Sequence, residues 1–307
     1  MDFLRLLEGI RFPALDTVMS LITQLGDELC FMAIAITMFW CIDKYRGYYL
    51  LSVGFLGTVI NQFLKLVFRI PRPWVLDPDF TIVESAREAA TGYSFPSGHT
   101  QNAVGTFGGV ARSAKEKGVR IASIVVLLLV SFSRMYLGVH TPMDVGVSFV
   151  IATVLLLVMY PFFEQMERKP NSMYVLLGIM TAMGVAYLLF VSFYSFPSDV
   201  DPANLSSGTK NAYTLLGATL GVFAAFYVDQ KYTHFETEAP LLGQLLKLVI
   251  GLALTMAIKA GTKPVLNVLF NGHQSADFVR YFLMVIFAGV LWPMTFKWFA
   301  KISQKKG

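Results

Sequence analysis

The chain has 307 residues, 55% of them hydrophobic and 15% charged, with a formal net charge of +5. Soluble domains run about 45–50% apolar and about 25% charged, so this composition excludes an ordinary soluble domain and points to a polytopic membrane protein. The positive balance reads as basic loops on one side of a bilayer, with no nucleic-acid partner expected.

Residues 1–25 alternate apolar and polar positions around Pro13. They read as a short interfacial helix pair occupying 1–27, or as one helix of a longer first span. The opening MDFLRLLEGIRFPALD lacks a basic stretch followed by a continuous apolar one, so no cleaved signal peptide is expected. About nine candidate spans follow, each needing about 20 mostly apolar residues: 28–43, 47–68, 96–113, 119–138, 142–163, 173–195, 209–229, 244–263 and 277–299. The first carries Cys30 and Cys41. At about 1.5 Å rise per residue they stand about 16 Å apart, too far to bridge, and read as small core hydrophobes. The third span is rich in Gly, Ala and Thr, which suits packing inside a bundle. The eighth reads as broken at MAIKAGTKPVL by Lys259 and Lys263, and 196–208 reads as the longest external loop after 69–95. A soft boundary near residues 169–171 separates an expected catalytic core, 28–168, from additional helices, 169–307.

The basic residues orient these spans. Lys44 and Arg46 share one side with Arg112, Lys115, Lys117 and Arg120, with Arg168 and Lys169, and with the tail residues Lys297, Lys301, Lys305 and Lys306. That side is expected to be cytoplasmic, with the N-terminus outside and the C-terminus inside. The outer side nevertheless holds Lys65, Arg69, Arg72, Arg87, Arg134, Lys259 and Lys263. Snorkelling explains some of these, but a group of them beside two histidines is harder to dismiss. Cations at membrane depth usually have an anionic partner, and few carboxylates are placed there, which leaves a ligand.

Three clusters fall on that outer side: Lys65-Leu-Val-Phe-Arg-Ile-Pro-Arg72-Pro73, Pro96-Ser97-Gly98-His99, and Ser133-Arg134 through His140 to Asp144. Ser97 and Gly98 precede a helix whose first N–H groups lack intrahelical partners, so PSGH reads as a phosphate-sized cradle beside a histidine. Lys65, Arg72 and Arg134 supply three charges, and arginine's planar fork suits phosphate oxygens. In HTPMD, Thr141 reads as an N-cap, Pro142 as N1 and Asp144 as N3 of a capping box. Asp144 then either only caps its helix or also holds Nδ1–H of His140 and leaves Nε2 as nucleophile.

Lys-x6-Arg-Pro, Pro-Ser-Gly-His and Ser-Arg-x5-His-x3-Asp, spanning about residues 65–144, resemble the three signatures of the type 2 phosphatidic acid phosphatase (PAP2) superfamily at every motif position. GYSFPSGH is similar to bacterial members, and the span count to the glucose-6-phosphatase branch. The resemblance implies an all-α transmembrane bundle with a PAP2-type catalytic core, extra C-terminal helices and a metal-independent phosphatase activity without cofactor. His140 would form a phosphohistidine, Asp144 would orient it, and His99 would protonate the leaving oxygen and then activate water. Lys65, Arg72, Ser97, Gly98 and Arg134 would hold the phosphate oxygens. No metal-ligand cluster is apparent, and His234 and His273 read as surface loop residues.

A site at the outer membrane surface suits a lipid phosphate or diphosphate, with undecaprenyl diphosphate the favoured substrate and phosphatidic acid or phosphatidylglycerol phosphate also fitting. A sugar phosphate fits the nine-span similarity. Vanadium haloperoxidases share the motifs, but the apolar spans argue against them. A phospholipid-binding or transport protein that kept the phosphate site is the reading from another class, and Lys259 and Lys263 would serve translocation there. Alternatively they would contact the headgroup in the phosphatase itself. Oligomeric state is not legible in the sequence.

Overall fold

The computed structural model describes residues 1–88, 90–166 and 168–302, and all regular structure among them is helical. Seven helices are long and apolar enough to cross a membrane: Lys44–Leu76, Lys117–Tyr136, Pro142–Glu164, Pro170–Phe193, Pro202–Thr233, Leu241–Leu269 and Ser275–Ala300. Pro13–Gln24 and Glu28–Ile42, bent by 47° at the break between them, make an eighth if the pair crosses together. The all-α membrane architecture is as expected, but the count of about nine is not reached. Two expected spans fall short: 28–43, where Glu28–Ile42 crosses only together with Pro13–Gln24, and 96–113. In the latter, helix runs only from Gly98 to Ser113, with a π-helical turn at Val104–Gly108. Sixteen residues rise about 24 Å, short of the bilayer's apolar core of about 30 Å.

Two further expectations are corrected. Leu241–Leu269 is one continuous helix through Lys259, Lys263 and Pro264. A break in an apolar medium would strand several backbone groups, whereas the proline frees only one carbonyl. Thr262 Oγ1 bonds back to Ile258 O at 2.7 Å, and Lys259 lays its ammonium 5.5 Å from the Tyr281 ring centre. Of the expected loop 196–208, the last residues are helical from Pro202. Asp201 starts that helix, accepting the Ala203 N–H at 2.8 Å, with Pro202 in the first turn, where a missing N–H costs nothing. Lys305 and Lys306 lie outside the described residues.

Contacts divide the chain into two compact units. The first comprises Met1–Ile34, Tyr49–Tyr160 and Phe196–Leu205. Helix Lys117–Tyr136 is its hub: Pro13–Gln24, Gly98–Ala103 and Gly109–Ser113 all pack on it. Residues 1–25 form two helices, Asp2–Gly9 and Pro13–Gln24, that dock on the loop after Phe68. Leu4 is buried with Phe80 and Ile82, Met19 clusters with Ala86, Tyr136 and Val139, and Arg5 Nη2 meets Asp77 Oδ2 at 2.7 Å.

The second unit comprises Ala35–Tyr48, Pro161–Ser195 and the chain from Ser206. Leu241–Leu269 packs there on Ser275–Ile286. Lys44 Nζ pairs with the fully buried Asp229 at 2.8 Å, and Trp40 Nε1 donates to Ala288 O at 2.9 Å. Lys263, His234 and His273 are exposed. Cys30 and Cys41, one in each unit, are free as expected but only half-buried, so neither is a core residue.

Candidate active site

The start of helix Pro142–Glu164 explains the local geometry of the third motif. Thr141 N donates to Asp144 Oδ2 at 2.7 Å, and Asp144 N donates back to Thr141 Oγ1 at 3.2 Å. This reciprocal pair satisfies two N–H groups that the helix start leaves open. The same Oδ2 accepts Ser94 Oγ–H at 2.6 Å and stands 3.5 Å from His140 Nδ1. Asp144 therefore caps its helix and faces the imidazole with one carboxylate.

The other ring nitrogen fixes the tautomer. Arg72 Nη1 lies 2.9 Å from His140 Nε2. A guanidinium has donors only, so Nε2 must be the acceptor and the single ring proton sits on Nδ1. There it faces Asp144 Oδ2 and Ser94 Oγ, each at 3.5 Å. Burial, followed by the charges of Arg72, Arg134 and Lys65, holds the His140 imidazole well below the usual histidine range. It is a neutral ring with its Nε2 lone pair turned to a cation.

Three cations lie around it, none of them in an ion pair with the Asp144 carboxylate. Arg72 donates to Gly92 O at 2.9 Å, Val139 O at 3.0 Å and Thr91 O at 2.6 Å, and Lys65 donates to Tyr93 O. Arg134 is fully buried at the end of Lys117–Tyr136. Its Nη1 donates to Thr23 Oγ1 at 2.6 Å, while Nε and Nη2 have no partner. Among the described residues, none of the three forms an ion pair. Each buried ion costs several kcal/mol in lost hydration, on the order of a whole domain's net stability for three. An anion arriving here offsets that cost.

The second motif closes the ring. Ser97 caps Gly98–Ala103: its Oγ accepts Thr100 N–H at 3.3 Å and Thr100 Oγ1–H at 3.0 Å. Its own hydroxyl proton remains to donate. Ser97 N donates to Asp144 O at 3.2 Å, tying the PSGH turn to the HTPMD turn. Gly98 has open space within 4 Å where a side chain would project. His99 Nε2 stands 2.7 Å from Asp27 Oδ1, an ion-pair distance off the line a hydrogen bond needs.

All eight expected site residues thus fall in the first unit, and direct contacts join Arg72 to His140, His140 to Asp144, and Asp144 to Ser97. Lys259 and Lys263 belong to the second. Four participants were not anticipated: Ser94, the 91–93 carbonyls, Thr23 and Asp27. Ser94 stands inside GYSFPSGH, three residues before Ser97, so its signal is local. Thr23 and Asp27 lie in the segment read as interfacial, where nothing local marks a site.

Residues 46–168 match the model of the PAP2 superfamily, and residues 213–305 match that of the PAP2 superfamily phosphatase transmembrane extension. Undecaprenyl-diphosphatase BcrC of Bacillus subtilis is 30% identical over 145 residues, covering 46% of this chain and 71% of that protein. Phosphatidylglycerophosphatase B of the same organism is 31% identical over 176 residues, covering 52% and 80%. Human sphingosine-1-phosphate phosphatase 2 is 25% identical over 214 residues, covering 67% and 50%. No solved structure gives a significant match. The three motifs and the extended matches agree: the chain belongs to the PAP2 superfamily and is a multi-pass membrane phosphatase.

Proposed function

We propose that the chain hydrolyses a lipid phosphate or diphosphate through a phosphohistidine formed on His140, at the extracytoplasmic face of the cell membrane. The observation that carries this reading is Arg134: a fully buried guanidinium with two nitrogens unpartnered, beside Arg72 and a neutral histidine. Such donors suit the equatorial oxygens of a phosphoryl group as charge develops on them. Asp144 and Ser94 hold the His140 Nδ1–H, so Nε2 attacks phosphorus. His99 protonates the leaving oxygen and then takes a proton from water. Lys65, Arg72, Arg134, Ser97 and the open backbone at Gly98 receive the oxygens. The catalytic core is assigned to 28–168 and the added helices to 169–307.

Relatives acting on an undecaprenyl diphosphate, a phosphatidylglycerophosphate and a sphingosine phosphate support a lipid substrate over a sugar phosphate. We favour a polyprenyl diphosphate, because the stretch GYSFPSGH is shared in style with bacterial members. The test is phosphate release in detergent containing EDTA, across undecaprenyl diphosphate, phosphatidic acid, phosphatidylglycerol phosphate, sphingosine-1-phosphate and glucose 6-phosphate. A lipid is turned over fastest, and H140A abolishes release while the protein stays folded. Turnover that survives in H140A, or that requires a divalent metal, overturns the mechanism. Cysteine labelling from either side of the membrane, at positions 88 and 116, tests the orientation. The first site reacts from outside and the second from the cytoplasm.

A further inference from the structure

The N-terminal helices reach the same site from a part of the chain that holds none of the three motifs and precedes the matched residues 46–168. Arg11 Nε donates to Tyr136 O at 2.8 Å, and Tyr136 Oη donates to Asp16 Oδ1 at 2.7 Å. Further along, Thr23 Oγ1 receives Arg134 Nη1. The chain then turns sharply, with Gly26 N on Thr23 O at 2.9 Å and Asp27 N on Gln24 O at 3.1 Å. Asn102 Nδ2 donates to Gly26 O at 3.3 Å. A Cβ on Gly26 would stand 2.7 Å from Val130 Cγ1 and 3.0 Å from His99 O. Glycine therefore lets this turn press against both the hub helix and the PSGH turn. At the end of it, Asp27 Oδ1 faces His99 Nε2 at 2.7 Å.

We infer that Asp27 is a positioning residue for His99, making a second carboxylate–imidazole pair that serves the leaving group as Asp144–His140 serves the nucleophile, and that Thr23 holds Arg134 for the phosphoryl oxygens. This rests on the phosphohistidine reading above. The Asp27 side chain is 42% exposed, so its ion pair adds little to stability. Its value is electrostatic: a carboxylate 2.7 Å from Nε2 favours a proton on that nitrogen and leaves Nδ1 to exchange.

The two pairs are mirror images in ring chemistry. Asp144 takes Nδ1 of His140 and leaves Nε2, whereas Asp27 takes Nε2 of His99 and leaves Nδ1. In the first half-reaction His140 Nε2 gives its lone pair to phosphorus, and the P–O bond breaks with its electrons on the leaving oxygen. The Nδ1 proton of the His99 imidazolium neutralises that oxygen, and the ring keeps its other proton against Asp27. In the second half, water oxygen bonds phosphorus and gives a proton to His99 Nδ1. The P–N bond then breaks back onto His140. Burial holds the His99 imidazole below the usual histidine range; of the charged groups facing it, Asp27 favours the imidazolium, and Arg134 and Arg72 oppose it, with His140 also close by.

The full-length protein in detergent tests this with two substrates. Phosphatidic acid has an alkoxide-type leaving group that needs a proton, and p-nitrophenyl phosphate has one that does not. D27N is expected to lower kcat on phosphatidic acid about 10- to 100-fold, and on p-nitrophenyl phosphate less than about threefold. The basic limb of its phosphatidic acid profile moves to lower pH, because the imidazolium loses its nearest anion, and D27E restores much of the rate. T23V is expected to weaken inhibition by vanadate about fivefold. Equal loss on both substrates, or a D27N pH profile superimposable on the parent's, overturns the Asp27 role. Unchanged vanadate inhibition overturns that of Thr23. H140A separates the two levels: turnover in H140A overturns the phosphohistidine reading, whereas an inactive H140A beside an unmoved D27N profile overturns this inference alone.

Discussion

Arg72 Nη1 lies 2.9 Å from His140 Nε2, so the nitrogen that would attack phosphorus is already held by a guanidinium. The contact fixes the tautomer and keeps the lone pair directed into the site. It also places the cation where an incoming phosphoryl oxygen must come. A phosphate that draws the guanidinium onto its own oxygen frees Nε2 in the same movement. On the phosphohistidine reading, binding and activation of the nucleophile would be one exchange of hydrogen-bond partners, while Thr91 O and Gly92 O continue to hold Arg72.

R72K tests that coupling. Lysine keeps the charge but loses the planar fork, so it cannot serve Thr91 O, Gly92 O, Val139 O and His140 together. Two or three broken contacts at about 1 kcal/mol each lower kcat/KM by roughly 10²-fold. Steady-state kinetics on the fastest lipid of the panel measures it. A loss under threefold would mean that charge alone suffices at this position.

Asp144 has two tasks, and two substitutions separate them. D144N retains a side chain able to accept Thr141 N–H, so the melting temperature should change little, yet the amide no longer favours Nδ1–H on His140. A fall in kcat of about 10³- to 10⁴-fold is expected, as for tautomer loss in a serine-protease triad. D144A should lose as much activity and about 1 kcal/mol of stability with the cap. Thermal unfolding in detergent, read beside kcat, distinguishes the two. An active D144N would reduce Asp144 to a cap.

Ser94 donates to Asp144 Oδ2 at 2.6 Å and is itself within 3.5 Å of His140 Nδ1. S94A leaves that carboxylate with one fewer donor and the imidazole N–H with one fewer acceptor. A loss of about 1–2 kcal/mol, or roughly 5- to 30-fold in kcat with KM nearly unchanged, is expected. A change confined to KM would assign Ser94 to binding instead.

The legible part of this protein was the part its chemistry writes locally. The Thr141–Asp144 box is a four-residue pattern whose hydrogen bonds close within one helical turn, and it forms as read. Cations without carboxylates were visible because charge is rare in apolar sequence. The expected span 96–113 is too short to cross, and its sequence hides this because small residues count as apolar whatever the length of the helix they form. The break expected at Lys259 and Lys263 does not form because interrupting the helix would strand backbone groups, and Lys259 can carry its ammonium to the Tyr281 ring instead. Thr23 and Asp27 were illegible for a different reason. They reach Arg134 and His99 across about 111 and 72 residues of chain, through a turn made possible by Gly26, and no local pattern encodes such a contact.

On the phosphohistidine reading, the pH dependence of kcat/KM follows from the state of His140. Only the neutral ring has a lone pair for phosphorus, so the acid limb reports its protonation in the free enzyme. Burial, then Arg72, Arg134 and Lys65, disfavour the imidazolium. The limb should therefore fall well below the ordinary histidine value of about 6.5. Removing the nearest of those charges shifts it upward: in R72M the limb moves toward neutrality, and the variant loses more activity relative to the parent at pH 6 than at pH 8. Substrate ionisation is common to both proteins and cancels in the ratio. A ratio that stays flat from pH 5 to pH 8 would show that Arg72 does not set the charge state of His140, and that the acid limb belongs to another group.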